Sequence, residues 1–118
     1  MVIHPVRRWT GRRGPTVYVY DVQPDGSVKN KRTFAQLRDI PPAKESGADG
    51  MALDREDRVY ITTVTGIQVF DAAGKYLGTI KVPRQPANAG FSGPLYITAR
   101  EGLYSLNMLA QGPDRIGK

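Results

Sequence analysis

Few side chains in this sequence could do chemistry, and the two best placed stand just before short apolar runs. Asp49 lies in GADGM (47–51) and Asn88 in PANAGFSG (86–93). A carboxylate beside a glycine has two readings. It can close a loop, because Asp-Gly is common turn chemistry, or it can offer oxygen to a hard divalent cation. An asparagine after a proline-led turn can likewise cap that turn or line a cavity. Asp54, Glu56 and Asp57 form a second acidic group. They lack the D-x-[DN]-x-[DN]-G spacing of a calcium loop, so a solvated hairpin is expected there. Arg100 and Glu101 are expected in a solvated turn, and Met51 and Phe91 in packing.

Other catalytic constellations are excluded quickly. The one histidine, His4, lies among the first residues, so the rest of the chain cannot assemble a Ser-His-Asp triad. GFSGP does not fit the G-x-S-x-G nucleophile motif. Neither a Gly-rich phosphate loop nor an HExxH pair occurs. With no cysteine in 118 residues, disulfides and thiolate metal sites are also out. Metal-assisted hydrolysis is the one route these residues suggest.

The net charge of +6 raises the question of nucleic acid, and its distribution answers it. Arg7, Arg8, Arg12 and Arg13 supply four of those charges in MVIHPVRRWTGRRG (1–14), whereas residues 15–118 hold 13 bases against 11 acids. RRWTGRR could grip phosphates and stack Trp9 on a base. The charge is confined to one end and no recognition helix follows, so nucleic acid is not the expected partner. Residues 1–15 are expected to be a basic leader outside the fold. No apolar run approaches the roughly 18 residues of a membrane span, and no signal-peptide core is visible. A soluble protein is expected, with a cytoplasmic location slightly favoured.

The elements that must position Asp49 and Asn88 are strands and turns. TVYVYDV (16–22) meets Pro24-Asp25-Gly26, and SVKNKRTF resumes an extended pattern. Pro41-Pro42 forbids regular structure in a loop over 36–48. MALD, VYITT, IQVFD and KYLGTIKV follow, separated by DREDR, Thr65-Gly66 and DAAG; then come NAGF, LYITA and LYSLNM. The tail AQGPDRIGK is expected to fray. That gives about nine strands: two, then four, then three.

An internal repeat organises them. VYITTVTGIQVF (59–70) aligns without a gap to LYITAREGLYSL (95–106), an offset of 36 residues. Tyr60 matches Tyr96, Thr62 matches Thr98 and Gly66 matches Gly102, while VYVYD (17–21) repeats the pattern of IQVFD (67–71). The unit is a four-stranded antiparallel meander, the size and content of a β-propeller blade. Blades stacked face to face bury both faces of their middle strands, which explains apolar residues on both parities of VYITT. A twisted β-sandwich is the rival, and it requires no repeat. The expected fold is all-β, a partial six-bladed propeller of about two and a quarter blades over residues 16–110, with 111–118 as a frayed tail.

The order GADGMALD, VYITT, GIQVFD, GKYLGTIKVP, PANAGFSG, LYITAREGLYSL resembles the C-terminal third of the gluconolactonase/senescence-marker-protein (regucalcin) family over roughly residues 16–110. The resemblance implies a six-bladed propeller that hydrolyses sugar lactones, a carboxylic ester hydrolase with a divalent cation, usually calcium, at the centre of its channel. It implies that Asp49, in the family's G-x-D-G-M segment, is one ligand of that metal. Asn88 is implied at the matching position one blade later, lining the substrate cavity. The family's other ligands, a Glu and Asn residues, lie in sequence that these 118 residues do not contain. A homo-oligomer or a complementary propeller fragment is therefore expected, because end blades expose apolar faces and unpaired edges. A non-catalytic piece serving as a binding or assembly module is the alternative.

Overall fold

A computed structural model of the chain describes residues 2–7, 13–40, 48–99 and 102–112. Ten strands and no helix occur among them: β1 (Val2–Arg7), β2 (Arg13–Val22), β3 (Val28–Gln36), β4 (Met51–Leu53), β5 (Val59–Thr63), β6 (Gly66–Phe70), β7 (Tyr76–Ile80), β8 (Asn88–Phe91), β9 (Leu95–Ala99) and β10 (Gly102–Leu106). They form three antiparallel meanders in chain order, β1-β2-β3, β4-β5-β6-β7 and β8-β9-β10. The expected two-four-three count becomes three-four-three. Val2–Arg7, which its charge placed outside the fold, pairs with β2 from Val2↔Tyr20 to Arg7↔Arg13. Pro5, which has no N–H to give a ladder, falls on this edge strand. Arg8, Trp9, Arg12, Pro41-Pro42, Arg100, Glu101 and the tail beyond residue 112 lie outside the described residues.

The sheets stack by their faces. Between the first and second lie Val17, Ala35 and Leu37 against Ala48, Val59, Ile61 and Phe70, with Phe34, Met51 and Tyr76 packed around them. Phe70 meets Tyr76 edge-on, ring centroids 5.8 Å apart. Between the second and third lie Tyr60 and Ile67 against Ala89, Phe91, Leu95 and Ile97. All of VYITT is thus buried, odd positions toward one neighbour and even positions toward the other. LYITA, its repeat partner, is buried only at alternate residues. Tyr96 is 40% exposed where Tyr60 is 2%, because the third sheet covers Tyr60 and no described element covers Tyr96. Leu103 stands opposite Thr98 on that same outward face and is 68% exposed.

Three hairpin loops share one plan. In 23–27, 54–58 and 71–75 the first residue's carbonyl accepts from the fourth N–H, and its N–H donates to the fifth carbonyl, all at 2.8–3.2 Å. This is a type I turn closed by a left-handed residue, which matches the right-handed twist of the strands it joins. Gly26 (φ 88°) and Gly74 (φ 89°) fill the left-handed place, and in the middle loop Asp57 (φ 59°) does. Asp54 and Asp71 strengthen their loops in the same way. Oδ1 of each accepts from the N–H two and four residues on.

A buried glutamine staples the first sheet's exit to the second. Gln68, fully buried on β6, donates from Nε2 to the Arg38 carbonyl (2.7 Å) and accepts from the Arg38 N–H (2.8 Å). No buried side-chain polar atom among the described residues lacks a partner.

Candidate functional site

The first strands of the second and third sheets lie side by side, and their heads carry the two residues singled out by sequence. Ala48 is buried beneath the head of β4 and anchors it in the core between the first two sheets, leaving Asp49 exposed. Asn88, the first residue of β8, is also exposed. Gly50 is the contact between them. A Cβ built on it would stand 2.7 Å from Asn88 Cα and against the Asn88 amide, so only glycine admits this approach. The fold therefore brings Asp49 and Asn88 to one place.

Register refines the correspondence between them. Ile61 faces Met51 across β4–β5, and its repeat partner Ile97 faces Ala89 across β8–β9. Asn88, opposite Thr98, is thus the counterpart of Gly50, and Ala87 is the counterpart of Asp49. The two polar side chains are offset by one residue, not repeated. One atom of the Asn88 amide is engaged locally, Oδ1 accepting the Ala89 N–H at 2.9 Å.

The backbone here is held by a residue that motif reading passed over. Thr62, fully buried on β5, donates its N–H to the Gly50 carbonyl (3.0 Å). Its Oγ1 accepts from the N–H groups of Gly50 (2.9 Å) and Asp49 (3.3 Å) and faces the carbonyls of Gly50 (3.1 Å) and Ala87 (3.3 Å). The Thr62–Thr98 match in the repeat marks the position but not the role, since Thr98 is exposed.

The second acidic group divides. Glu56 and Asp57 are exposed, as a solvated hairpin requires, but Asp54 is 1% exposed and does not belong to that hairpin's surface. Besides its two loop N–H groups, it accepts Arg58 Nε (2.6 Å) and the Tyr60 hydroxyl (2.9 Å) through Oδ2. Burial alone would raise its pKa; hydrogen bonds from the Arg58 side chain and N–H, Tyr60 and the Glu56 N–H outweigh that and hold it below the ordinary carboxylate value. Burial first, and the carboxylate beside it second, push the Tyr60 hydroxyl up to about 12. This is a structural network. A pocket of about 290 Å³ lined by Arg55, Glu56, Arg58 and the 109–111 segment lies next to it and includes neither Asp49 nor Asn88.

Calcium takes six to eight oxygen ligands. No group of three or more His, Cys, Asp or Glu side chains suited to a metal occurs among the described residues. Asp49 and Asn88 offer two side chains, so these residues alone do not complete such a shell. No helix among the described residues is long and apolar enough to cross a membrane.

Comparison with known proteins agrees with the architecture. The model of the SMP-30/Gluconolactonase/LRE-like region matches residues 10–101. A solved gluconolactonase from Xanthomonas campestris superposes with a TM-score of 0.61 at 28% identity, over 87% of this chain and 31% of that one. A crystal structure from a structural-genomics programme, assigned to the gluconolactonases, superposes with a TM-score of 0.71 at 18% identity, over 95% of this chain and 40% of that one. This chain thus spans less than half of either structure, as consecutive blades of a partial β-propeller. No curated protein matches its sequence.

Proposed function

We propose a function from one premise: the chain belongs to the SMP-30/gluconolactonase/LRE-like family. Its role is the metal-dependent hydrolysis of a sugar lactone, with Asp49 as one ligand of a divalent cation, calcium by preference, and Asn88 at the substrate cavity. The observation that supports this is the convergence of the heads of β4 and β8, where Gly50, next to Asp49, lets Asn88 approach closely. Hydrolysis adds water to the ring ester carbonyl and opens the ring to a carboxylate and a hydroxyl. A cation in such a site would polarise that carbonyl or activate the water. Since the described residues do not complete its shell, no step is assigned to a cation held by this chain alone. The remaining ligands would come from further blades, supplied by a second copy or by a complementary propeller segment.

The test is hydrolysis of an aldonolactone by the purified chain with added calcium, then with chelator, beside Asp49→Ala. Calcium-dependent turnover lost in the variant supports the reading. A folded chain without turnover refutes it for this chain. The outward face of the third sheet favours a second reading, a non-catalytic binding or assembly module. Tyr96 and Leu103, the repeat counterparts of the buried Tyr60 and Ile67, stand exposed there. Turnover separates the two, and light scattering tests the assembly that either could use. A monodisperse monomer at micromolar concentration removes assembly between copies.

A further inference from the structure

We infer that Thr62 is a positioning residue that sets Asp49 and Asn88 relative to each other. Its hydroxyl is where two sheets meet. Through Oγ1 it receives the Gly50 N–H at 2.9 Å, and the Asp49 N–H stands 3.3 Å away. Its single proton faces two carbonyls, Gly50 in its own sheet at 3.1 Å and Ala87 in the next at 3.3 Å. Ala87 is tied in turn by its N–H to the Thr98 carbonyl at 2.7 Å, and it directly precedes Asn88. One buried oxygen thus bridges the peptide that carries Asp49 and the residue before Asn88.

Main-chain bonds hold each head to its own sheet, Thr62 N–H to the Gly50 carbonyl and Ala87 N–H to the Thr98 carbonyl, whereas the Thr62 hydroxyl spans both. Asp49, Gly50 and Ala87 lie outside the ladder pairs of β4–β5 and β8–β9. The contact between the two heads is made by a glycine, which has no side chain to lock them. A buried hydroxyl satisfied by main-chain groups of two separate strands is fixed in position, because moving either strand would leave a buried polar group unpaired. Thr62 touches neither substrate nor cation in this reading. It acts through the backbone of its neighbours.

The role of the positioned pair rests on the lactonase reading, but the positioning does not. The test compares Thr62→Val, which keeps shape and removes the hydroxyl, with Thr62→Ser, which keeps the hydroxyl. Amide hydrogen exchange and the Asn88 side-chain amide resonances are read by NMR in the full chain. In Thr62→Val the Asp49 and Gly50 amides are expected to exchange at least about tenfold faster, with the Ile61 and Phe70 amides unchanged. The Asn88 resonances are expected to shift across the sheet boundary, and Thr62→Ser is expected to restore both. Unchanged exchange at Gly50 in Thr62→Val would overturn the inference, as would a uniform rise through the core or failure of serine to rescue. Where wild type hydrolyses an aldonolactone, Thr62→Val is expected to lower kcat more than it changes KM, with recovery in Thr62→Ser. Absence of turnover in wild type counts against the lactonase reading and leaves the exchange result to decide Thr62.

Discussion

Replacing Asp54 with alanine should destabilise the chain by about 3 kcal/mol, the sum of three losses read from its surroundings. The Tyr60 hydroxyl lies in a residue 2% exposed and donates to Asp54, so its proton is left without an acceptor. That costs about 1.5 kcal/mol. The charge-assisted bond from Arg58 Nε is lost too. Because the Arg58 side chain is 33% exposed, its guanidinium regains water and the loss is held to about 1 kcal/mol. The loop N–H groups of Glu56 and Arg58 lose their shared acceptor but turn toward solvent, adding about 0.5 kcal/mol. Urea unfolding measures the total. With a slope of about 1.5 kcal/mol/M, the midpoint should fall by about 2 M. The assignment of the first loss has its own check. Tyr60→Phe placed on Asp54→Ala should recover about 1 kcal/mol, because it removes the orphaned hydroxyl, whereas on the wild type it should destabilise. A midpoint shift below about 0.5 M for Asp54→Ala, or a Tyr60→Phe effect of the same sign in both backgrounds, would refute the reasoning.

The same network makes stability depend on pH at both ends. The Asp54 pKa is depressed in the folded state, so its contribution is present above the ordinary carboxylate value and is lost as pH falls through the folded one. Tyr60 is raised to about 12, so its contribution is complete below the ordinary tyrosine value and is lost as pH rises toward 12. Thermal melts across pH 9–12 should show an alkaline decline that is reduced in Tyr60→Phe. Gln68→Leu should cost about 1–2 kcal/mol by removing the two hydrogen bonds that hold the Arg38 N–H and carbonyl, and trypsin should cut after Arg38 faster in that variant. Asp57→Gly should stabilise by about 0.5–1 kcal/mol in urea unfolding, because it relieves a left-handed residue (φ 59°) in a loop whose two counterparts use glycine.

What sequence could show here was set by the range of the interaction involved. Period and turn chemistry are local, so VYITT, GIQVF and the three turn loops were legible, and the gap-free repeat extended that legibility to sheet order. The burial of both faces of VYITT followed from stacking. The strand at Val2–Arg7 was not legible, because four arginines near it argued for solvent while its pairing runs from Arg7↔Arg13 out to Val2↔Tyr20, beyond the reach of local pattern. Asp54 was misplaced for a related reason. Among exposed acids its type says surface, and only the closing of the 54–58 loop brings Arg58 to it from the loop's end and Tyr60 from the adjoining strand. For the candidate site, sequence singled out Asp49 and Asn88 but not their one-residue offset, which is a property of ladder register. It also left Thr62 looking like an ordinary strand threonine, since nothing local shows that a hydroxyl will meet a second sheet.

Thr62 and Gln68, the buried polar side chains at the two seams between sheets, bind chiefly main-chain atoms of the segments they hold. Peptide groups are the same whatever side chain they carry. A seam tied in this way constrains the path of a segment while leaving its amino acids free to drift, except at a close approach such as Gly50. Positions 49, 87 and 88 can then accept new side chains over generations without loss of alignment between the strands that display them. That division of labour lets a scaffold diversify its displayed residues faster than its frame, and it marks 62 and 68 as the positions to leave alone in any library built on this chain.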